Sequence, residues 1–289
     1  MMRIGKVLLL LFFSVNLHAQ KSAEEFTSES QDFYNSGNYS ASLEIAESCL
    51  KQYPKSFEAL ILKADCKQKT NKILESITVY NQAEKINNKS PFLYINRGAA
   101  YITNNDLDKA LSDINLAIEL DPSIPEAYYY RGNIQYFNFK IADAVKDYNK
   151  AIDLKPDYMA AYYIRAAAKG EQNKYDEAIS DYQSALNLKP DLVEAKMNIA
   201  VLNFQNELFD LALKGFNEID SSQIKNTADF YFFRAETKYF LKDKNGACSD
   251  YRMAGKAGDA EAVEIYDKTC LKGEKKQKAS PKRSQLYTF

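Results

Sequence analysis

The sequence repeats itself every 34 residues, and this period restricts the possible fold more than any other feature. Small residues recur at this spacing at Gly98, Gly132 and Ala166, and tyrosine, arginine, alanine and proline positions recur in the same phase. A period this regular predicts a stack of similar supersecondary units, each of which buries its apolar face against its neighbours. Such stacks build extended surfaces for partners, and the period therefore favours a binding protein over an enzyme.

The fourth repeat shows which residue types recur within one unit. Counted from Pro125 as position 1, it has tyrosine at positions 4 and 24, glycine at 8, alanine at 20 and 27, and proline at 32: Tyr128, Tyr148, Gly132, Ala144, Ala151 and Pro156. This pattern resembles the tetratricopeptide repeat (TPR) family, whose units are helix–turn–helix hairpins. The resemblance covers about residues 23–257 and implies an all-α fold, an α-solenoid wound as a right-handed superhelix.

Seven such units are expected, and a short helix is expected to follow them. The units are 23–56, 57–90, 91–124, 125–158, 159–192, 193–226 and 228–257. Gly255 and Gly258 are expected to break the chain after the last unit, and Asp259 is expected to cap a helix over 259–271 that covers the last apolar face. That helix would carry four residues on one side: Ala262, Val263, Tyr266 and Cys270.

The sixth unit departs most from the pattern. It has Gly215 at position 23 and Ile219 at position 27, and one inserted residue separates it from the seventh unit. Position 27 is alanine in the central units, because the first helix of the next unit packs there. A bulky residue and an insertion at this junction should loosen or re-angle the stack, so we expect a hinge here.

The two ends of the sequence differ in composition from the repeats. Residues 1–19 combine Arg3 and Lys6 with a short apolar run and a small-residue cleavage site ending at Ala19, which is typical of a secretory signal peptide. A membrane anchor is the alternative, although the run is shorter than the roughly 20 residues that a spanning helix needs. We therefore expect a protein exported to the bacterial periplasm or envelope, without a transmembrane segment after cleavage.

Residues 272–289 form an expected basic, flexible tail. Six cationic side chains stand there against one carboxylate, Glu274: Lys272, Lys275, Lys276, Lys278, Lys282 and Arg283. The tail would either keep the protein soluble or dock it on an anionic surface, where each basic residue contributes about 1 kcal/mol. Since the whole chain has a net charge of -1, the repeats themselves are acidic, which argues against nucleic acid as a partner.

The repeats lack histidine, which many catalytic mechanisms use, while carboxylate or lysine chemistry remains possible but has no motif here. The single histidine of the chain, His18, would be removed with the signal peptide. The repeats then have no imidazole base and no histidine metal ligand, and they carry no glycine-rich phosphate loop or nucleophile–base pair. We therefore expect no enzyme activity, no cofactor and no metal.

Arginine at position 7 and aspartate at position 23 recur together in four units. The pairs are Arg97 and Asp113, Arg131 and Asp147, Arg165 and Asp181, and Arg234 and Asp250. Both positions lie eight residues from the turn of the hairpin, so the two side chains should face each other. The expected role is an ion pair within each repeat, and the alternative is a ladder of arginines that binds anionic ligands.

One face of the first helices is the expected partner-binding site. In the TPR family, positions 2, 5, 9, 12 and 13 line the inner groove, and their spacing traces one side of a helix. The residues that we assign to this face are Phe92, Ile95, Ile102, Tyr129, Asn133, Tyr136, Phe137, Tyr163, Met197, Val201, Phe204, Phe232, Tyr239 and Phe240. Nine are aromatic, which predicts an apolar groove for a hydrophobic segment of a partner polypeptide. The alternative is that several rings turn inward between the helices.

Four cysteines in an exported protein could pair. Cys248 would lie on the last repeat and Cys270 on the capping helix, and these two are expected to form a disulfide. Cys49 and Cys66 could pair in the same way, and four buried thiols are the alternative.

Taken as a whole, the sequence predicts a non-enzymatic scaffold or adaptor in the bacterial envelope that binds a partner polypeptide in an aromatic concave groove. The alternative is a fixed structural subunit of an envelope complex, docked through its basic tail.

Overall fold

The computed structural model describes residues 21–272, and every regular element in that range is helical. The predicted all-α fold is therefore confirmed. The helices are α1 (Ala23–Asn35), α2 (Tyr39–Gln52), α3 (Phe57–Lys69), α4 (Ile73–Glu84), α5 (Pro91–Thr103), α6 (Leu107–Leu120), α7 (Pro125–Phe137), α8 (Ile141–Leu154), α9 (Met159–Glu171), α10 (Tyr175–Leu188), α11 (Val193–Gln205), α12 (Phe209–Asn217), α13 (Thr227–Phe240), α14 (Lys244–Lys256) and α15 (Ala260–Ile265). A 3₁₀ turn (Ser221–Gln223) and a π-helical turn (Tyr266–Leu271) complete the list. The predicted signal peptide and residues 273–289 of the predicted tail lie outside the described residues.

The helices belong to two compact units, one ending at Lys89 and one beginning at Ser90. In the first unit, α1 packs on α2, α2 on α3, and α3 on α4. In the second unit, five further hairpins follow one another in the same way, and α15 packs on α14. Within residues 21–272, no helix combines the length and the apolar character that crossing a membrane requires.

The turn within each hairpin has the same conformation. Position 15 has a positive φ in all seven hairpins, at Gly37, Asn71, Asn105, Phe139, Asn173, Glu207 and Lys242. The backbone around it closes the first helix in a Schellman arrangement, in which the amide of Asp106 donates to the carbonyl of Tyr101 at 2.9 Å. Glycine and asparagine adopt this conformation at least cost, so four of the seven turns carry a residue suited to it.

Small residues at position 8 allow the two helices of a hairpin to approach closely. A Cβ atom built on Gly132 would lie 2.6 Å from the ring of Tyr148, and one built on Gly98 would lie 2.7 Å from the side chain of Ile114. Tyr148 and Ile114 occupy position 24 of their units and are fully buried. In every hairpin but the first, which has Ala46 at position 24, a large side chain from the second helix is therefore seated on a small residue of the first.

The sixth hairpin has a shortened second helix. Helix α12 has 9 residues, whereas α10 has 14, and the 3₁₀ turn follows it before α13 begins. Ile219 is buried in the same core cluster as Phe216 and Phe230. The chain thus accommodates the large residue by ending the helix early, and the expected hinge stays a prediction.

The end of the second unit corrects one expectation about glycine. Gly255 lies inside α14 and does not end it. Its lack of a side chain makes room for Val263, whose Cγ2 would lie 2.7 Å from a Cβ atom built on Gly255. The break occurs at Gly258, where φ is +101°. Asp259 then caps α15 as expected and accepts a hydrogen bond from the amide of Ala262 at 2.9 Å.

Cys248 and Cys270 form the expected disulfide, which joins α14 to the π-helical turn with a Cα–Cα distance of 5.8 Å. The other suggested pair is wrong. Cys49 and Cys66 are free and buried, and the thiol of Cys66 donates to the hydroxyl of Ser42 at 3.1 Å. Burial raises the pKa of both free thiols, which keeps them protonated and unreactive.

Candidate functional site

The first helices of successive hairpins contact each other in the second unit, α5 with α7 and α11 with α13. All fourteen residues of the expected inner face lie on these helices or on α9 between them. We call this set of fourteen the first-helix face. Three members are exposed: Phe92 (59%), Phe137 (56%) and Phe240 (50%). Six are half-buried: Ile102, Tyr129, Asn133, Tyr136, Phe204 and Tyr239.

The remaining five residues are buried, so the expectation that they line an open groove is wrong. They are Ile95, Tyr163, Met197, Val201 and Phe232. The reason is visible at position 5, where the side chain turns toward the second helix of its own hairpin. The rings of Tyr163 and Tyr182 are 5.1 Å apart, and those of Phe232 and Tyr251 are 6.1 Å apart. For these five residues the inward-turning alternative describes the structure.

Asn133 is engaged within its own hairpin. Its Oδ1 accepts a hydrogen bond from the hydroxyl of Tyr148 at 2.9 Å. These residues occupy positions 9 and 24, and the same pair of positions is joined by hydrogen bonds from Tyr80 to Asp65 and from Tyr251 to Glu236. In these three hairpins position 9 therefore supplies an acceptor for the tyrosine hydroxyl, and Gln68 supplies a second acceptor for that of Tyr80.

Three other hairpins of the second unit have a different arrangement. The fifth has Ala167 at position 9, and there Asn198 of the next hairpin bonds to the hydroxyl of Tyr182 at 2.9 Å. In the sixth hairpin position 24 is Phe216, which has no hydroxyl, and position 9 is the apolar Val201. The third hairpin follows the same rule with isoleucine at 24 and alanine at 9. A polar residue at position 9 is thus explained by packing.

Burial also fixes the protonation of these tyrosines. Desolvation is the main cause that raises the pKa of Tyr148, Tyr182 and Tyr251 well above the ordinary value. Their hydroxyls therefore remain neutral hydrogen-bond donors and do not act as bases.

The recurring arginines and aspartates form the ion pairs that the sequence predicts. Arg131 binds Asp147 through Nε at 2.8 Å and Nη2 at 2.7 Å, and the other three pairs have the same two-bond geometry. The hydrogen bonds to Asp147 raise the pKa of Arg131. Because every one of these arginines is held by its own aspartate, they are engaged in structure and are not left to bind an anionic ligand.

Two further contacts complete the arginine clamps of Arg131 and Arg165. The guanidinium of Arg131 lies 5.5 Å from the ring centre of Tyr128, at position 4. Its Nη1 donates to Asn115 of the preceding hairpin at 3.3 Å, and Arg165 donates in the same way to Asn149 at 2.7 Å. We use the term arginine clamp for this set of position 4, position 7, position 23 and the residue at position 25 of the preceding hairpin.

Aromatic side chains cluster where the sixth and seventh hairpins meet. Phe204 lies 5.7 Å from Phe209 and 5.9 Å from Phe240, and the last two rings stack in parallel at 4.7 Å. The sequence analysis did not include Phe209, since position 17 is not an inner-face position of the family. It also missed Phe139, which is 87% exposed in the turn of the fourth hairpin. The sequence signal for Phe139 was an aromatic residue at position 15, in the turn, where other units carry glycine or asparagine.

Comparisons with known proteins agree with this architecture. Family models described as TPR repeat and tetratricopeptide repeat match residues 168–207, 125–158 and 93–124. These models describe interaction repeats, and no catalytic family is indicated. Dynein axonemal assembly factor 4 of Pongo pygmaeus and of Pan paniscus is 40% identical over 75 residues, which is 26% of this chain. The match spans only 18% of the length of those relatives.

Solved structures are similar in fold at low identity. A tetratricopeptide repeat protein from Parabacteroides merdae ATCC 43184 has a TM-score of 0.58 at 21% identity, over 86% of this chain and 98% of that one. YrrB, a TPR protein with an unusual peptide-binding site, has a TM-score of 0.57 at 22% identity, over 64% of this chain and 96% of that one. The repeat period, the helical hairpins and the matching family models together show that this chain contains tetratricopeptide repeats.

Proposed function

We propose that this protein is a non-enzymatic scaffold that binds a partner polypeptide on the exposed part of the first-helix face. The observation that carries the proposal is the exposure of three phenylalanines on first helices, Phe92, Phe137 and Phe240. Exposed aromatic rings are costly in water and are enriched at protein interfaces. The clamps and the tyrosine hydrogen bonds account for the recurring polar residues, whereas these three rings keep half or more of their surface exposed.

The partner segment that fits this surface is apolar. Half-buried rings such as Tyr136 and Tyr239 lie on the same helices as Phe137 and Phe240 and provide a rigid base beside them. An apolar helix or extended segment would bury these rings in turn, with the phenylalanines as anchors. Localisation in the bacterial envelope is part of the proposal and is supported by residues 1–19 of the sequence alone.

The test is site-specific photo-crosslinking in cells. A photoreactive phenylalanine is placed at Phe92, Phe137 or Phe240, and the matched controls place it at Leu120 or Leu188, which are exposed on second helices. Adducts of one defined mass at the three phenylalanine positions, and none at the two leucines, are the expected result. Adducts of equal yield on both sets would show that the first-helix face is not the site.

A second experiment separates this proposal from docking through the tail. Truncation after Lys272 removes the basic segment and leaves all of the first-helix face in place. Crosslinking at Phe137 should then persist at its original yield. Loss of the adduct in the truncated protein would instead favour a fixed subunit that is held by its tail.

A further inference from the structure

The sixth hairpin has an open pocket of about 540 Å³ where α10, α11 and α12 meet. Its lining includes Leu186, Ile199 and Gly215, with Gln183, Lys196 and Glu218 at the rim. Lys196 and Ile199 occupy positions 4 and 7 of α11, which at 100° per residue lie on the side of the helix opposite Met197 and Val201. The pocket is therefore separate from the first-helix face.

The pocket occupies the space that an arginine clamp fills in other hairpins. Four hairpins carry a ring at position 4, arginine at 7 and aspartate at 23. The sixth has Lys196, Ile199 and Gly215 at these positions. All three substitutions remove the groups of the clamp, while the surrounding helices keep their packing. The repeats themselves thus show which chemistry this space accommodates, namely a guanidinium with its aliphatic stem.

One of the groups that receive the guanidinium elsewhere has a counterpart in this pocket. Gln183 is at position 25 of the fifth hairpin, the position at which Asn115 and Asn149 accept hydrogen bonds from the next arginine. Its Nε2 donates to Asn187 at 3.4 Å, which leaves the carbonyl oxygen free to accept. Leu186 and Ile199 provide an apolar wall for an aliphatic stem.

Negative charge is available at the rim. Glu218 is the C-cap of α12, and its carboxylate is exposed and forms a 4.0 Å surface ion pair with Lys214, which an arriving guanidinium would have to replace. The C-terminal end of a helix also attracts cations. The one like charge at the rim is Lys196, which is exposed on a flexible stem and can turn toward solvent.

We propose that this pocket binds an arginine side chain of a partner polypeptide. The guanidinium would lie between the carbonyl oxygen of Gln183 and the carboxylate of Glu218, with its stem against Ile199. The proposal goes beyond binding on the first-helix face, because it adds a second contact on the opposite side of α11 and specifies one side chain of the guest.

The test uses an acetylated and amidated Gly-Arg-Gly peptide and its citrulline counterpart, which has the same shape without the charge. Both are titrated at millimolar concentration into the full chain labelled at isoleucine methyl groups and side-chain amides, and NMR shifts are recorded. Saturable shifts at Ile199 and Gln183, with at least fivefold weaker binding of the citrulline peptide, are expected. No shift at these two residues, or equal binding of the two peptides, would overturn the proposal.

Variants sharpen the result. Glu218→Gln should weaken binding of the arginine peptide several-fold, whereas Glu119→Gln, which changes an exposed glutamate of α6, should leave it unchanged. Lys196→Tyr restores the ring of a clamp and should tighten binding several-fold. Ile199→Arg should abolish binding by filling the pocket from within. If Ile199→Arg fails to fold, the comparison of Glu218→Gln with Glu119→Gln still tests the site, because both positions are exposed. Equal effects of these two substitutions on binding would refute the site. The probe residues differ from the crosslinking positions, so either proposal can fail alone.

Discussion

The fifth and sixth hairpins have the same fold but are held together by different means. In the fifth, Arg165 and Asp181 form a two-bond ion pair, and the buried Tyr182 is hydrogen-bonded by Asn198. In the sixth, the corresponding positions are Ile199, Gly215 and Phe216, and none of them carries a charge or a hydroxyl. The arginine, the aspartate and the tyrosine hydroxyl have been replaced together.

This difference shows that the repeat can fold with or without the polar network. A buried charge or hydroxyl is costly only when its partner is missing, so removing both partners together is tolerated. The consequence is at the surface. Where the clamp is kept, the outer side of the hairpin is filled by the chain itself, and where it is replaced, a pocket opens beside α11.

The largest effect should come from breaking the clamp of the fifth hairpin on one side only. Asp181→Ala leaves Arg165 and Lys169 without the carboxylate that both bind, at 2.6 and 2.9 Å. We expect a loss of about 3 kcal/mol in the free energy of unfolding. Urea denaturation measures the loss, and hydrogen exchange assigns it to α9 and α10.

The matched control removes the partner as well. Arg165→Met combined with Asp181→Ala imitates the apolar set of the sixth hairpin and should destabilise the protein less than Asp181→Ala alone. A double variant that is less stable than the single one would show that the two sets are not interchangeable.

A smaller effect should follow from adding an unmatched hydroxyl to the sixth hairpin. Phe216→Tyr places a hydroxyl beside Val201, which cannot accept a hydrogen bond, and should cost about 2 kcal/mol. Val201→Asn supplies the acceptor at position 9 and should recover part of the loss in the double variant. Thermal unfolding of the four proteins checks this, and additive losses without recovery would contradict the link between positions 9 and 24.

The two hairpins should also differ in their response to alkaline pH. Burial raises the pKa of Tyr182 above its ordinary value of about 10, so the stability it contributes is complete below pH 10 and is lost as the pH rises above it. Hydrogen exchange at pH 9 and 11 should show larger deprotection in α10 than in α12. Tyr182→Phe should reduce this difference, and an unchanged difference would assign it to other groups.

The smallest expected effect is the gain in stability from adding a second cation to an arginine clamp. Lys169 and Lys238, at position 11, give the aspartates of their hairpins a second cation, whereas the fourth hairpin has Gln135, whose buried Oε1 has no hydrogen-bond partner. Gln135→Lys should bind Asp147 and stabilise the protein by about 0.5 kcal/mol. The midpoint of urea denaturation measures the gain, and it should vanish in 1 M salt. A destabilised variant would mean that the space around Asp147 differs from that around Asp181.

Much of the fold could be predicted because it depends on local signals at fixed spacing. Pro91 and Pro125 begin first helices, and Asn105 lies in the turn where asparagine is favoured. The arginine–aspartate pairs also follow from spacing, since both residues are equally far from the turn. Phe232 could not be placed in the same way, because its burial depends on the ring at position 24 of the facing helix.

The pocket could not be predicted either, for a related reason. Gly215 indicated a disturbed sixth unit, but an open space arises only when three positions on two helices lose their clamp groups together. When each position is considered separately, the three substitutions look like unrelated deviations from the repeat pattern. The exposed Phe139 shows the same limit, because inner-face positions were considered and the turn was not.

The disulfide between Cys248 and Cys270 has a consequence for proteolysis. It encloses the exposed turn at Gly258, where a protease can cut the backbone. A cut there would leave α14 and the π-helical turn covalently linked. The nicked protein would therefore migrate at its full mass until a reducing agent released the smaller fragment.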